Sequence, residues 1–193
     1  MRRVTCLHVL VSVLLVAILI GVRPTLSAAQ TSERTGLPAL VVLVRHAEKA
    51  AEPADDPPLT AAGAERAQAL ATALQDAGVT AIITTQLRRT RETAQPLATA
   101  RGLTPEVVPV RSGEAHAEAV AAAVRRHAGG IVLVAEHSNM IPAIIAALGG
   151  PRISNICESV YANLFILVPS AGEARLVRSR YGAADPAPGP DCK

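Results

Sequence analysis

The sequence predicts a three-layer α/β/α sandwich over residues 39–182, with a mostly parallel sheet and an antiparallel edge. Three observations predict it. Short apolar segments alternate with longer segments of helical pattern. The apolar segments are continuously apolar rather than alternating, as strands buried on both faces are. The last two strand-like segments follow each other across a Ser170-Ala171-Gly172 turn with no helix between them, which makes that pair antiparallel. Half of the 193 residues are hydrophobic and only 2% are aromatic, so the core is built from Ala, Val, Leu and Ile.

Each element has a local reason. Residues 40–44 (LVVLV) form an apolar strand, followed by the Pro-rich loop AEPADDPPLT. Thr60 caps a helix over 61–77 that Gly78 stops. Residues 79–84 are short and β-branched, a strand. Residues 88–100 are helical and end at Gly102. Val107-Val108-Pro109-Val110 reads as a short strand with Pro109 near its end. An Ala-rich helix over 115–127 closes at Gly129-Gly130, and a strand over 131–135 follows. Residues 141–148 are helical, with Pro142 tolerated in the first turn. Residues 163–168 and 174–178 are the final strands.

The flanks read differently. Met1-Arg2-Arg3, an apolar run over 4–22 and Ser27-Ala28-Ala29 make residues 1–29 a secretory signal peptide cleaved after Ala29. The rival reading is an uncleaved membrane anchor through residues 4–22. Either way the domain is exported, periplasmic or secreted, or else anchored facing the periplasm. Residues 30–38 are a polar linker, and 183–193 a Pro-rich, disordered tail. In an oxidising compartment Cys157 and Cys192 either pair, or stay as one buried thiol and one free tail thiol. The net charge of +3, without charge blocks or interleaved aromatics, gives no nucleic-acid signature.

The chemistry gathers at strand ends. Residues 40–44 run into Arg45-His46, 131–135 into Glu136-His137-Ser138-Asn139, and 81–84 into Thr85-Gln86-Leu87-Arg88-Arg89. Ligands of open α/β sheets sit beyond the carboxyl ends of the strands, so these groups converge on one pocket. Two imidazoles and two guanidinium groups suit a phosphate. The guanidinium fork matches its oxygens, a neutral imidazole is a nucleophile toward phosphorus, and a protonated one donates to developing charge. A helix starting near Ser138 would add amide donors. Zinc ligand spacing is absent, and the arginines would repel a cation. Arg88 and Glu92 pair at i,i+4 on a solvated helix face.

Four ordered motifs then resemble those of the histidine phosphatase superfamily, the group containing the phosphoglycerate-mutase-like proteins. Leu43-Val44-Arg45-His46-Ala47-Glu48 resembles its Arg-His-Gly/Ala signature, and Pro58-Leu59-Thr60-Ala61-Ala62-Gly63 its Leu-Thr-x-x-Gly element. Residues 85–94 (TQLRRTRETA) resemble its Ser-x-Leu-x-Arg-Ala-x-x-Thr-Ala helix start, and His137-Ser138-Asn139 its second-histidine motif. The short chain is most similar to the small phosphohistidine phosphatases. The resemblance runs from about Ala39 to Tyr181 and implies roles. His46 would be the phospho-acceptor, Arg45 and Arg89 would bind the phosphoryl group, and His137 would complete the pocket. Arg88 and Arg91 would be surface charges. The family's proton donor is usually an acid in an insertion after the third motif; by order along the chain Glu114 is the best placed for that role, and a solvated residue opening a helix is the alternative for it. Glu136 stands where the family commonly has Gly; a carboxylate there either holds His137 protonated or crowds the pocket. No metal or organic cofactor is implied. The expected activity is hydrolysis of a phosphomonoester or phosphoramidate through a phosphohistidine on His46. Its partner would be a small phosphorylated substrate or a phosphoprotein. A non-catalytic module that binds phosphate or a phospho-ligand on the same fold is the alternative.

The export reading has a direct check. N-terminal sequencing of the mature protein should begin at Gln30; an intact N-terminus in the membrane fraction would establish the anchor instead.

Overall fold

A computed structural model describes residues 38–187 and 192, all within the compact unit Arg34–Lys193. The expected export segment 1–29 and all of the 30–38 linker but Pro38 lie outside the described residues. Among the described residues no helix is long and apolar enough to cross a membrane.

The elements follow in the expected alternation: β1 (Leu40–Arg45), α1 (Ala61–Leu74), β2 (Ala81–Thr84), α2 (Arg88–Arg101), β3 (Glu106–Val107), α3 (Gly113–Arg125), β4 (Ile131–Glu136), α4 (Ile141–Ala147), β5 (Asn163–Val168) and β6 (Arg175–Arg180). They form one six-stranded sheet of order β3-β2-β4-β1-β5-β6. β3, β2, β4 and β1 are parallel neighbours, and β5 and β6 add antiparallel to β1. The expected fold class is the observed one.

Strand period two sorts the core into two halves. Val41, Leu43, Val132 and Val134 face Val120, Val124, Ile141, Ile144 and Ile145 of α3 and α4. Val42, Val44, Leu133 and Ala135 face Leu70, Leu74, Leu97 and Ala98 of α1 and α2. The strands are apolar throughout because both faces are covered.

Local chemistry sets the boundaries. The Thr60 side chain accepts from the Gly63 amide at 3.1 Å, the expected cap of α1. Gly102 closes α2 at φ +62, a left-handed conformation that suits glycine. Several boundaries differ from expectation, β2 starting at Ala81 and β6 running on to Arg180 among them. β3 is two residues, Glu106–Val107, rather than 107–110, because Pro109 has no N–H to extend the ladder. α1 ends at Leu74, short of Ala77. α3 begins at Gly113, ahead of Ala115.

The C-terminal segment is also better held than its composition implied. Asp185 accepts from the Tyr161 and Ala162 amides at 2.6 and 2.8 Å, and Arg66 Nη1 donates to the Ala183 carbonyl at 2.9 Å. Residues 183–187, expected to be disordered, are therefore tied to the entry of β5; residues 188–191 and 193 lie outside the described residues. Of the two cysteine readings, the structure has the pair: Cys157 and Cys192 are disulfide-bonded, with Cα atoms 5.2 Å apart.

α1 is seated on the segment after β1. The Thr60 amide donates to the Glu48 carbonyl at 2.9 Å, and a Cβ built on Gly63 would lie 2.2 Å from that same oxygen. The obstacle is backbone, which cannot rotate away. Gly63→Ala should therefore cost at least about 1–3 kcal/mol of stability, the usual scale of overpacking, read as a fall in the urea midpoint. A variant of unchanged midpoint would show that α1 can lift off Glu48.

Candidate active site

The pairing of β1 with β4 builds the site. They are parallel and in register, with Arg45 opposite Glu136. The His46 amide extends the ladder, donating to the Glu136 carbonyl at 2.7 Å. Equivalent positions of parallel neighbours point the same way. His46 and His137 therefore emerge side by side, with ring centroids 5.4 Å apart. Arg45 and Glu136 alternate to the other face.

His46 is buried, and its Nδ1 lies 2.8 Å from the Ala47 carbonyl. That oxygen can only accept, so Nδ1 carries the hydrogen and Nε2 holds the free lone pair. Burial chiefly pushes the pKa of His46 down to about 4, against the Ala47 bond and assisted by Arg45, Arg89 and Lys49. His137 is likewise lowered to about 4, mainly by burial; the nearby Glu136 charge opposes this, and His46, Arg89 and His116 add to it. Both rings are therefore neutral near pH 7.

Glu136 neither holds His137 protonated nor crowds the pocket. It is 1% exposed and turns toward α3, where Oε1 meets His116 Nε2 at 2.9 Å. Its Oε2 accepts from the His137 amide at 3.0 Å, bracing the backbone rather than the ring. Strand alternation is the reason.

The two arginines differ. Arg45 is 2% exposed, and its terminal nitrogens are already engaged. Nη1 donates to the carbonyls of Cys157, Glu158 and Val160, and Nη2 to Glu158 Oε2 at 2.6 Å. The Tyr161 ring lies beneath its guanidinium carbon at 4.1 Å, and 6.5 Å from the His46 ring. Arg89 lies in the first turn of α2; burial and then Arg45 lower its pKa, while Asp56, Glu136 and Glu158 oppose them. Thr93 fixes that helix start to β1, accepting from the Ala47 amide at 2.8 Å and donating to the Arg89 carbonyl at 2.6 Å. Arg88 pairs with Glu92 at 3.0 Å as expected, and Arg91 is exposed.

Among the described residues, five buried side-chain polar atoms have no hydrogen-bond partner: Arg45 Nε, Thr84 Oγ1, Arg89 Nε, His137 Nε2 and the Tyr181 hydroxyl. Three of them belong to the residues that the resemblance assigned to phosphate.

Glu114 is elsewhere in character. It sits exposed on the first turn of α3 with no hydrogen-bond partner among the described residues. The expected helix start near Ser138 falls instead at Ile141, after a turn in which the Met140 amide donates to the His137 carbonyl. Ser138 is buried and donates from Oγ to Glu158 Oε1. Sequence reading missed Glu158 and Tyr161. They lie in an irregular segment before β5, more than a hundred residues from Arg45, where no periodicity marks them. Glu48 and Arg66 were missed as a pair: Arg66 is buried and donates from Nη2 to Glu48 at 2.8 Å, behind the segment carrying His46.

The lowered histidines make stability depend on pH. An unfolded imidazole takes its proton near pH 6.5, and the folded one only near 4. Between these values the unfolded state binds more protons. Stability is complete above about 6.5 and falls as pH drops toward 4, by about 1.4 kcal/mol per pH unit for each ring. Urea midpoints at pH 7.5 and 5 should show the loss, and His46→Asn with His137→Asn should reduce it.

Comparison with known proteins bears on the sequence family and on the fold. The family model described as histidine phosphatase superfamily (branch 1) matches residues 41–110. No curated protein is similar enough in sequence to count as a relative. A mycobacterial glucosyl-3-phosphoglycerate phosphatase, solved with inorganic phosphate, superposes with a TM-score of 0.57 at 18% identity, over 76% of this chain and 98% of its own. The protein histidine phosphatase SixA, solved with tungstate, gives 0.58 at 15% identity over 73% and 96%. YhfR of Bacillus stearothermophilus gives 0.55 at 19% identity over 72% and 95%. The resemblance to the histidine phosphatase superfamily thus extends in sequence over residues 41–110, and the solved structures share the fold of the described domain.

Proposed function

We propose that the chain is an exported, metal-independent phosphatase that hydrolyses a phosphomonoester or phosphoramidate through a phosphohistidine on His46. The observation that carries this reading is the set of unpartnered nitrogens: the donors Arg45 Nε and Arg89 Nε, and His137 Nε2, which donates once the ring is protonated. Leaving one buried donor or acceptor unpaired costs about 1–3 kcal/mol. Three such groups on residues of one site suit an oxyanion with several acceptor oxygens. The solved relatives support the class of ligand, since those proteins carry phosphate and tungstate, both tetrahedral oxyanions.

The steps follow from the geometry. His46 Nε2 attacks phosphorus, forming the P–N bond as the P–O or P–N bond to the leaving group breaks. The ring gains positive charge, which the Nδ1–H bond to the Ala47 carbonyl eases. Arg45, Arg89 and His137 hold the non-bridging oxygens as charge builds there. A bound phosphate dianion also draws a proton onto His137, reversing the effect of burial. The acid for the leaving group is proposed as Glu114. The helix that bears it starts at the carboxyl end of β4, where its His116 meets Glu136, so this acid is at the same end of the sheet as the site. Water then attacks the phosphoenzyme, the P–N bond breaks, and inorganic phosphate leaves. The substrate would be a small phosphorylated molecule or a phosphoprotein. Among the described residues no group of three His, Cys, Asp or Glu is placed to hold a metal ion, and the two arginines would repel one.

Rapid quenching with labelled p-nitrophenyl phosphate should trap an acid-labile, base-stable adduct on the wild type. The adduct and essentially all turnover should vanish in His46→Ala. Turnover should survive EDTA and be inhibited by vanadate, which mimics five-coordinate phosphorus. Tight vanadate binding without adduct or turnover would instead support the non-catalytic phospho-ligand module, and an adduct persisting in His46→Ala would move the nucleophile to His137.

A further inference from the structure

We propose that the segment 157–160, fixed by the Cys157–Cys192 disulfide, is the positioning element of the phosphate site, with Glu158 as its key side chain; this rests on the phosphate reading above. A fork-shaped arginine would be expected to meet phosphate with its two terminal nitrogens. Here those nitrogens belong to the protein. Nη1 of Arg45 meets three carbonyls of this loop, at 3.2 Å from Cys157 and 3.2 Å from Val160 with Glu158 between them, and Nη2 meets the Glu158 carboxylate at 2.6 Å. With Tyr161 beneath the guanidinium plane, the group has one orientation, and Nε is the donor left unpaired.

Glu158 does a second thing. Its other oxygen accepts from the Ser138 hydroxyl, and Ser138 directly follows His137. One carboxylate therefore joins the end of β1 to the end of β4, spanning the two residues that flank the histidine pair. Packing does not explain this placement, because the Glu158 side chain is 68% exposed while Arg45 is 2% exposed. The stability at stake lies on the Arg45 side, since that buried guanidinium would keep only the loop carbonyls as partners without Glu158. The segment has no helix or strand to define its path between α4 and β5. The disulfide supplies that definition, one residue before Glu158.

The test uses the full chain and four variants: Glu158→Ala, Glu158→Gln, Glu114→Gln, and Cys157→Ser with Cys192→Ser. Vanadate inhibition and kcat and KM are measured with p-nitrophenyl phosphate, whose leaving group needs no proton, and with an alkyl phosphate, whose leaving group does. Glu158→Ala should weaken vanadate binding and lower kcat/KM by about 10–100-fold, the scale of losing an outer partner of a binding group. The loss should be equal for both substrates and should exceed any fall in the folded fraction read from the urea midpoint. Glu158→Gln keeps one acceptor for Arg45 and should recover part of the loss. The double cysteine variant, and wild type treated with dithiothreitol, should move in the same direction as Glu158→Ala. Glu114→Gln should slow the alkyl ester selectively. If Glu158→Ala leaves both constants within about twofold of wild type, the positioning role is wrong. If it slows only the alkyl ester, Glu158 is the acid and the role is again wrong. If the wild type neither binds vanadate nor turns over either substrate, the phosphate reading itself fails and the positioning role falls with it.

Discussion

The parallel register of β1 on β4 is the constraint from which the rest of the site follows. Both strands are covered on both faces, so their apolar runs could slide past each other by two residues with little loss of burial. What stops the slide is the polar end of each strand. Arg45 and Glu136 are both buried, and each has partners at only one height: the carbonyls before β5 for Arg45, and His116 on α3 for Glu136. A buried charge displaced from such partners is strongly destabilising. With that register, His46 and His137 can only emerge as neighbours.

Much of this was legible in the residues themselves. The alternation of elements, the buried parallel strands and the antiparallel end are direct consequences of hydrophobic pattern and turn chemistry. So was the clustering of Arg45, His46, Arg89 and His137, because the fold class dictates which end of each strand is open. Less legible were effects that depend on distance. Nothing in the run from Gly149 to Ala162 shows that its carbonyls surround Arg45, since irregular backbone has no period. The Pro-rich composition after Tyr181 hid the one carboxylate, Asp185, that caps two amides at the start of β5. The direction of Glu136 was readable in principle from strand alternation, but a carboxylate beside a histidine in sequence invites the assumption that they meet in space.

The histidine pair also shows how burial outweighs a nearby charge. Glu136 precedes His137 and favours its protonated form, yet the ring titrates near 4. The carboxylate is aimed at His116, and through the backbone its contribution is diluted, whereas loss of water acts on the ring directly. Two rings that stay neutral near pH 7 avoid placing two more positive charges beside Arg45 and Arg89.

The bond between Cys157 and Cys192 has a topological side. It converts the stretch that contains β5, the exposed 170–173 turn and β6 into a closed ring. The turn is an accessible place for a protease to cut. A single cut there would open the ring without releasing a fragment, because the piece bearing β6 would stay covalently joined through Cys192. The edge strand would then have to detach against both its ladder to β5 and a tether that keeps it at high local concentration. The sheet of this domain can thus be nicked at its most exposed hairpin and still hold all six strands.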